Sequence, residues 1–169
     1  MSELVHGLSG DFLPRFLAGM ALNFEIAGIA LSIGLVLGAV LALGRLAGGV
    51  AGAACVSLVS LMRAAPTFVV MFFLLNALPR DATLFGRPFA LSGVMTVALS
   101  LVPYSAAYVG DAALDALRHL RAGTTHGAML FLPNVTRAFF VLVMSSSAGA
   151  AIGVTEAITV ILREAEHLP

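Results

Sequence analysis

The sequence has no lysine, a single cysteine and few charges of either sign: nine arginines face nine acidic residues over 169 positions, and only 11% of residues are charged. With every arginine matched by an acid, there is no basic face that could neutralise a run of phosphates, which excludes nucleic-acid binding. Cys55 cannot form an intrachain disulfide or supply a cysteine-rich metal site. In its apolar surroundings it reads as a small membrane-buried side chain. His6, His119, His126 and His167 show no His-Glu-x-x-His spacing, and neither a Gly-x-Ser-x-Gly elbow nor a Gly-x-x-x-x-Gly-Lys phosphate loop occurs. No enzymatic reaction, cofactor or metal ion is therefore expected.

What is present is apolar mass. Hydrophobic residues make up 60% of the chain and the mean hydropathy is +1.03, against roughly half apolar and a quarter charged in soluble domains. An ordinary water-soluble globule is ruled out. Uncharged runs extend over Ile26–Gly44, Leu46–Met62, Ala64–Pro79, Pro88–Gly110 and Ala138–Thr155, several near the ~20 residues that cross ~30 Å of hydrocarbon. Arg63 divides two runs that are each short for a span, so a single helix from about Ala51 to Leu78 is predicted there. The expectation is an all-α integral membrane protein with about four transmembrane helices. Residues 1–16 form an N-terminal segment, 17–163 the membrane domain and 164–169 a short tail. The first apolar run is too long for a signal h-region, and Glu3 and Asp11 oppose Arg15, so that helix is read as retained.

Connections are short, and arginine counting barely decides orientation, with Arg45, Arg118 and Arg121 on one side and Arg15, Arg80 and Arg87 on the other. Gly34 and Gly38, Gly44 and Gly48, and Gly149 and Gly153 form Gly-x-x-x-Gly pairs that allow helices to approach closely. Such pairs are also simply common in membrane helices.

Intramembrane charges are more telling, because each costs about 2.5–3.5 kcal/mol on insertion scales and so faces a cavity or a partner. Glu25, Arg63, Asp111, Arg137 and Glu156 are the candidates. Pro66 closely follows Arg63 and leaves a backbone carbonyl unpaired, a break tolerated only against protein or water. Tyr104, Tyr108 and Asp111 fall on one helical face beyond Pro103. A pairing of Arg63 with Asp111 is predicted, either lining a path or as an architectural ion pair. Ser145, Ser146 and Ser147 either line a polar route or bond back to their own helix.

The order Gly34-x-x-x-Gly38, Arg45, Arg63-Ala64-Ala65-Pro66, Ala106-Ala107-Tyr108-x-x-Asp111, Gly123 and Ile152-Gly153-Val154-Thr155-Glu156 resembles the permease subunits of bacterial polar amino acid ABC importers, of the histidine, glutamine and arginine type. The resemblance covers nearly the whole chain. Arg63 and Pro66 match the ends of the family's Arg-Gly-Thr-Pro, with Ala64 and Ala65 between. Ala106, Ala107 and Tyr108 match Ala-Ala-Tyr-x-x-Glu-x-x-Arg, Asp111 replacing the Glu and Leu114 the Arg. Of the Lys-Asp-Thr-Ser-Leu pattern only Ser147 remains, Met144 and Ser145 standing for Lys-Asp, while Ile152-Gly153-Val154-x-Glu156 is retained.

The resemblance implies an external N-terminus, an ATPase-facing loop holding Arg118, Arg121, Gly123 and His126, and a substrate path near the midplane flanked by Arg63, Pro66, Tyr104, Tyr108, Asp111, Ser147 and Glu156. Gly34, Gly38, Gly149 and Gly153 are expected to pack helices. Implied partners are a second permease subunit, an ATP-binding subunit, a periplasmic solute-binding protein and membrane lipid, in the bacterial inner membrane. Against the family pattern the expectation is that the coupling helices are deleted, the chain running straight from Ala128 to Pro133, and that the last helix is lacking. Two functions stay open: a transport subunit for a polar or charged amino acid, and a degenerate permease-like assembly or regulatory subunit that does not translocate.

Overall fold

The computed structural model describes residues 11–77, 83–84, 87–88 and 91–166. Helix α1 spans Phe12–Ala47, α2 Gly49–Ala64, α3 Thr67–Ala77, α4 Gly93–Arg121, α5 Thr125–Met129, α6 Phe131–Ser145 and α7 Ala157–Ala165, with a 3-10 segment over Ser146–Ile152. The strands β1 (Thr83–Leu84) and β2 (Arg87–Pro88) pair antiparallel between α3 and α4. Expected features at residues 1–10, most of the external segment, and at 167–169 lie outside the described residues.

The fold is all-α apart from that hairpin. Three helical stretches, Phe12–Ala47, Gly93–Arg121 and Thr125–Ile152, are long and apolar enough to cross a membrane, and a fourth span exists if the bent pair α2–α3 is counted as one. The single helix predicted from Ala51 to Leu78 is corrected: its halves meet at 94° across Ala65 and Pro66. Pro66 has no N–H to offer back to α2, and Ala65 before it is extended at φ −73°, ψ 112°, as pre-proline sterics favour. The Pro66 carbonyl then accepts from Val70 N to start α3. Pro103 has no such effect, since α4 continues through it without a break.

Helix α1 begins at Phe12, so the last residues of the expected external segment belong to the first helix. The tail boundary also shifts, with α7 reaching Ala165. The stretch between Ala128 and Pro133 is not a bare connection either: α5 forms a helical turn there, and Pro133 sits in the first turn of α6, where a missing N–H costs nothing.

Helices α1 and α4 form the spine. Their contact face on α1 is Asn23, Ala27, Ala30, Gly34, Gly38 and Leu41, spaced three or four apart. A Cβ on Gly38 would lie 2.8 Å from Gly110 N and 2.9 Å from Ala106 O, and one on Gly34 would collide with the Ser105 side chain. Without side chains there, the backbones approach closely, which in lipid is the main source of helix affinity. Ile26, Ala27, Ala30, Met71, Val97, Ala98, Leu101, Leu142 and Val154 form the main core, and Leu41, Val59 and Ala107 a smaller one beneath the α1–α2 turn.

The other expected packing glycines divide. Gly149 faces Val97 and Val154, where a Cβ would meet neighbours at 3.1–3.3 Å. Gly153 corrects the packing expectation: nothing lies within 4 Å, and its φ of +82° closes the 3-10 segment in a left-handed turn. Gly48 acts likewise at the α1–α2 corner with φ +71°.

Candidate functional site: intramembrane polar clusters

The first cluster joins the ends of three helices. Arg45 lies in the last turn of α1, Arg63 in the last turn of α2, and Asp111 inside α4. Arg45 Nη1 donates to Asp111 Oδ1 at 2.7 Å, and Arg63 Nη2 bonds the other carboxylate oxygen. One carboxylate thus serves two guanidiniums, leaving a net positive charge. Side-chain exposure falls from 61% at Arg63 through 37% at Asp111 to 18% at Arg45. Arg45 is therefore the more committed partner, and its Nε is buried without a hydrogen bond.

The pairing of Arg63 with Asp111 was expected; the part taken by Arg45 was not, because its charge reads as a loop marker. A usable signal existed: Gly34, Gly38, Leu41 and Arg45 share one helical row. Pro66 contributes by ending α2 just after Arg63.

On the same face of α4, Tyr104 and Tyr108 stack with ring centroids 6.1 Å apart, half-buried and respectively two turns and one turn from Asp111. Arg137 on α6 is exposed.

The second cluster is buried at the other end of α1. Asn23 Nδ2 donates to Ser146 Oγ at 2.7 Å, to Glu156 Oε2 at 3.3 Å and to Ser147 Oγ at 3.4 Å, while Asn23 Oδ1 accepts from Ala157 N at 3.1 Å. Glu156 is fully buried. Its Oε1 accepts from Thr159 N at 2.8 Å and Thr159 Oγ1 at 3.0 Å, and its Oε2 from Ile158 N at 2.9 Å. It caps α7, where orphan N–H groups and the helix dipole favour a carboxylate. Glu156 was expected beside a substrate path; its four donors instead tie it to its own helix and to Asn23.

Ser147 touches this network only through its long contact, and Ser146 is the member held within it, donating also to Val143 O at 2.7 Å. Asn23 went unremarked in the sequence, although an amide in the row Gly19, Asn23, Ala27, Ala30 points into the packing face. Gly19 belongs to the same seam, since a Cβ there would meet Ala157 N at 2.7 Å.

The structure thus brings Arg63 together with Asp111 and, in a separate place, links Ser147 to Glu156 only through Asn23. Arg118, Arg121, Gly123 and His126 lie elsewhere, exposed around the α4–α5 turn. There Gly123 has φ +76°, Thr124 Oγ1 donates to His119 O at 2.9 Å, and Arg118 lies 3.8 Å from Asp115. Glu25 is exposed on α1 on the face away from α4. Among the described residues no group of three or more His, Cys, Asp or Glu converges to hold a metal.

No protein-family model and no curated protein matches the chain. A solved structure does, an amino acid ABC transporter crystallised "with histidines", at TM-score 0.68 and 20% identity over 88% of this chain and 77% of that one. The fold is that of an amino acid ABC transporter chain. The α1–α4 spine, the bent α2–α3 pair and the α6 span carry the two polar clusters described above, and the likeness to that structure is one of fold.

Proposed function

We propose that the chain is a membrane-spanning subunit of an ABC-type amino acid importer in the bacterial inner membrane, supplying half of a path for a polar or charged amino acid. The second half comes from another permease subunit, with a periplasmic solute-binding protein outside and an ATP-binding subunit inside. The observation that carries this reading is the shared fold over 88% of the chain. The ordered residues Arg63, Pro66, Tyr108, Asp111 and Ile152–Glu156 agree with it.

Work from ATP reaches membrane helices only through a contact that differs between two states. The α4–α5 turn offers a surface for one: Leu120, Met129, Leu130 and Leu132 are exposed beside Arg118 and Arg121. This apolar and basic mixture, at the end opposite the Asn23 cluster, suits docking against the ATP-binding subunit. Asp111, held by two arginines, positions the ends of α1 and α2 against α4, so that a movement at this end is transmitted to the Pro66 elbow.

A second reading, a permease-like assembly subunit that does not translocate, is favoured by the saturation of Glu156 within its own helix cap and by the burial of Leu114 where the family carries Arg. Reconstitution separates the two. In proteoliposomes containing the ATP-binding and second membrane subunits, ATP-dependent uptake of polar amino acids is expected to vanish when this chain is omitted. Asp111→Asn is expected to lower the initial rate about tenfold, the equivalent of losing about 1.4 kcal/mol of charge-assisted bonding. Normal uptake without the chain would establish the assembly reading.

A further inference from the structure

Where α7 runs back along α1, a cavity of about 350 Å³ opens between Arg15, Ala18 and Leu22 on one side and Thr155, Val160 and Arg163 on the other. The two walls are antiparallel, since Asn23 Oδ1 meets Ala157 N while Arg15 Nη2 lies 3.5 Å from Glu164 Oε2. Arg15 and Arg163 thus stand at one level, and Leu22 and Thr155 about 10 Å deeper in the bundle. The mouth is cationic and the floor largely apolar.

Charge at the mouth is layered. The cavity lining holds two guanidiniums and no carboxylate. Arg15 is engaged by buried Glu164 and by Asp11 O, which accepts from its Nε at 3.2 Å. Arg163 is exposed and enters no ion pair among the described residues. Asp11 precedes Arg15 by four residues and Glu166 follows Arg163 by three, so both exposed carboxylates stand about one turn farther out. Neither is in an ion pair among the described residues, and the Asp11 side chain makes no cap bond to α1. An unpaired cation therefore lies beneath two unpaired carboxylates.

The medium at this level is lipid headgroup. Helix α1, 36 residues and about 54 Å long, exceeds the ~30 Å of hydrocarbon it crosses, so its first turns rise through the polar layer. Leu13, Leu17, Ile161 and Leu162 are nevertheless exposed there, an apolar rim that water alone does not favour. The cavity has the volume of about a dozen waters, enough for a phosphate head with its glycerol but not for acyl chains, which continue past Leu22 into the bilayer. A guanidinium fork matches phosphate oxygens, and a headgroup ammonium one turn farther out meets carboxylates.

We propose that this cleft holds a phospholipid with an amine headgroup, of the phosphatidylethanolamine kind. Arg163, with Arg15 beside it, receives the phosphate, Asp11 and Glu166 receive the ammonium, and the Thr155 hydroxyl donates to a glycerol ester. The site requires that α1 span the membrane and requires nothing of the transport reading.

Native mass spectrometry of the full chain, purified in mild detergent and supplied with dioleoyl lipids, provides the test. One phosphatidylethanolamine per chain is expected to survive detergent washing that strips phosphatidylglycerol. Glycerophosphoethanolamine, which has no acyl chains, is expected to bind on the order of a hundredfold more weakly. Arg163→Gln is expected to weaken retention about tenfold and Arg163→Lys, which keeps the charge but not the fork, to retain part of it. Arg137→Gln, outside the lining, is expected to have no effect; Arg15 is left unaltered because its loss strands buried Glu164. Asp11→Asn combined with Glu166→Gln is expected to abolish the preference for ethanolamine over glycerol headgroups. Circular dichroism and thermal melting check that each variant keeps its helices. Phosphatidylglycerol held as firmly as phosphatidylethanolamine by the unaltered chain, no retained lipid, or retention indifferent to Arg163→Gln would overturn the proposal. So would equal binding of glycerophosphoethanolamine, which would mark a site for free phosphate esters.

Discussion

At the scale of single residues, closeness between backbones matters more than any side chain's own chemistry. Gly38 and Gly110 face each other across the α1–α4 seam, but they are not equivalent. A Cβ on Gly38 would meet backbone N and O at 2.8–2.9 Å, whereas one on Gly110 would meet Gly38 O at 3.4 Å, an ordinary contact. Gly38→Ala is therefore expected to destabilise the chain by about 1–3 kcal/mol through forced separation of the helices, and Gly110→Ala by clearly less. Thermal unfolding of the two variants in the same detergent measures the difference; equal losses would show that the seam has slack. The charges follow a similar logic. Because Arg45 and Arg63 share Asp111, exchanging the charges of Arg63 and Asp111 cannot restore the original arrangement, since Arg45 is left beside a new cation.

At the scale of elements, the start of α7 is held to α1 by a polar clasp rather than by apolar packing alone. Glu156 caps α7 while Asn23 bonds both the cap and the 3-10 segment before it. Glu156→Gln leaves a single acceptor oxygen for donors that now use two, and removes the charge that favours the helix N-terminus. A loss of about 1–3 kcal/mol is expected, and similarly for Asn23→Leu, which strands buried groups on several partners. The two changes remove one shared network, so the double variant is expected to lose less than the sum of the singles, by about 0.5–3 kcal/mol. Strict additivity in melting experiments would show that the residues act independently. The elbow at Ala65 and Pro66 is the other element-scale device, placing Arg63 at Asp111 while α3 turns Met71 into the main core.

At the scale of the whole molecule, the apolar exterior and the separation of the two clusters along the helices define a long axis. The α4–α5 turn lies at the end of the bundle reached by the C-terminus of α4, and the Asn23 clasp lies toward the other. If the transport reading is correct, a single cysteine at Gly123, in a chain with Cys55→Ser, is expected to react with a membrane-impermeant maleimide only in inside-out vesicles. A cysteine at Asp11 is expected to react only in right-side-out ones. Labelling of both from one side would contradict a bundle that spans the membrane in this sense.

Much of this was legible in the order of residues. In lipid the backbone is satisfied only in helices or closed barrels, and continuous rather than alternating apolar runs select helices, so the runs pointed to an all-α membrane chain, and the Gly34, Gly38 row foretold a close seam because missing side chains allow one. The pairing of Arg63 with Asp111 was inferable because lone charges at that depth need company. Tertiary structure decided the rest. A proline after Arg63 is compatible with a kink or with a right-angle turn, and neighbouring helices, not the proline, select between them. Arg45 and Asn23 carry no local signal of their partners, which lie 66 and 123 or more positions away in the chain. Whether a buried acid lines a route or caps a helix depends on which donors surround it, and folding alone brings those donors to Glu156.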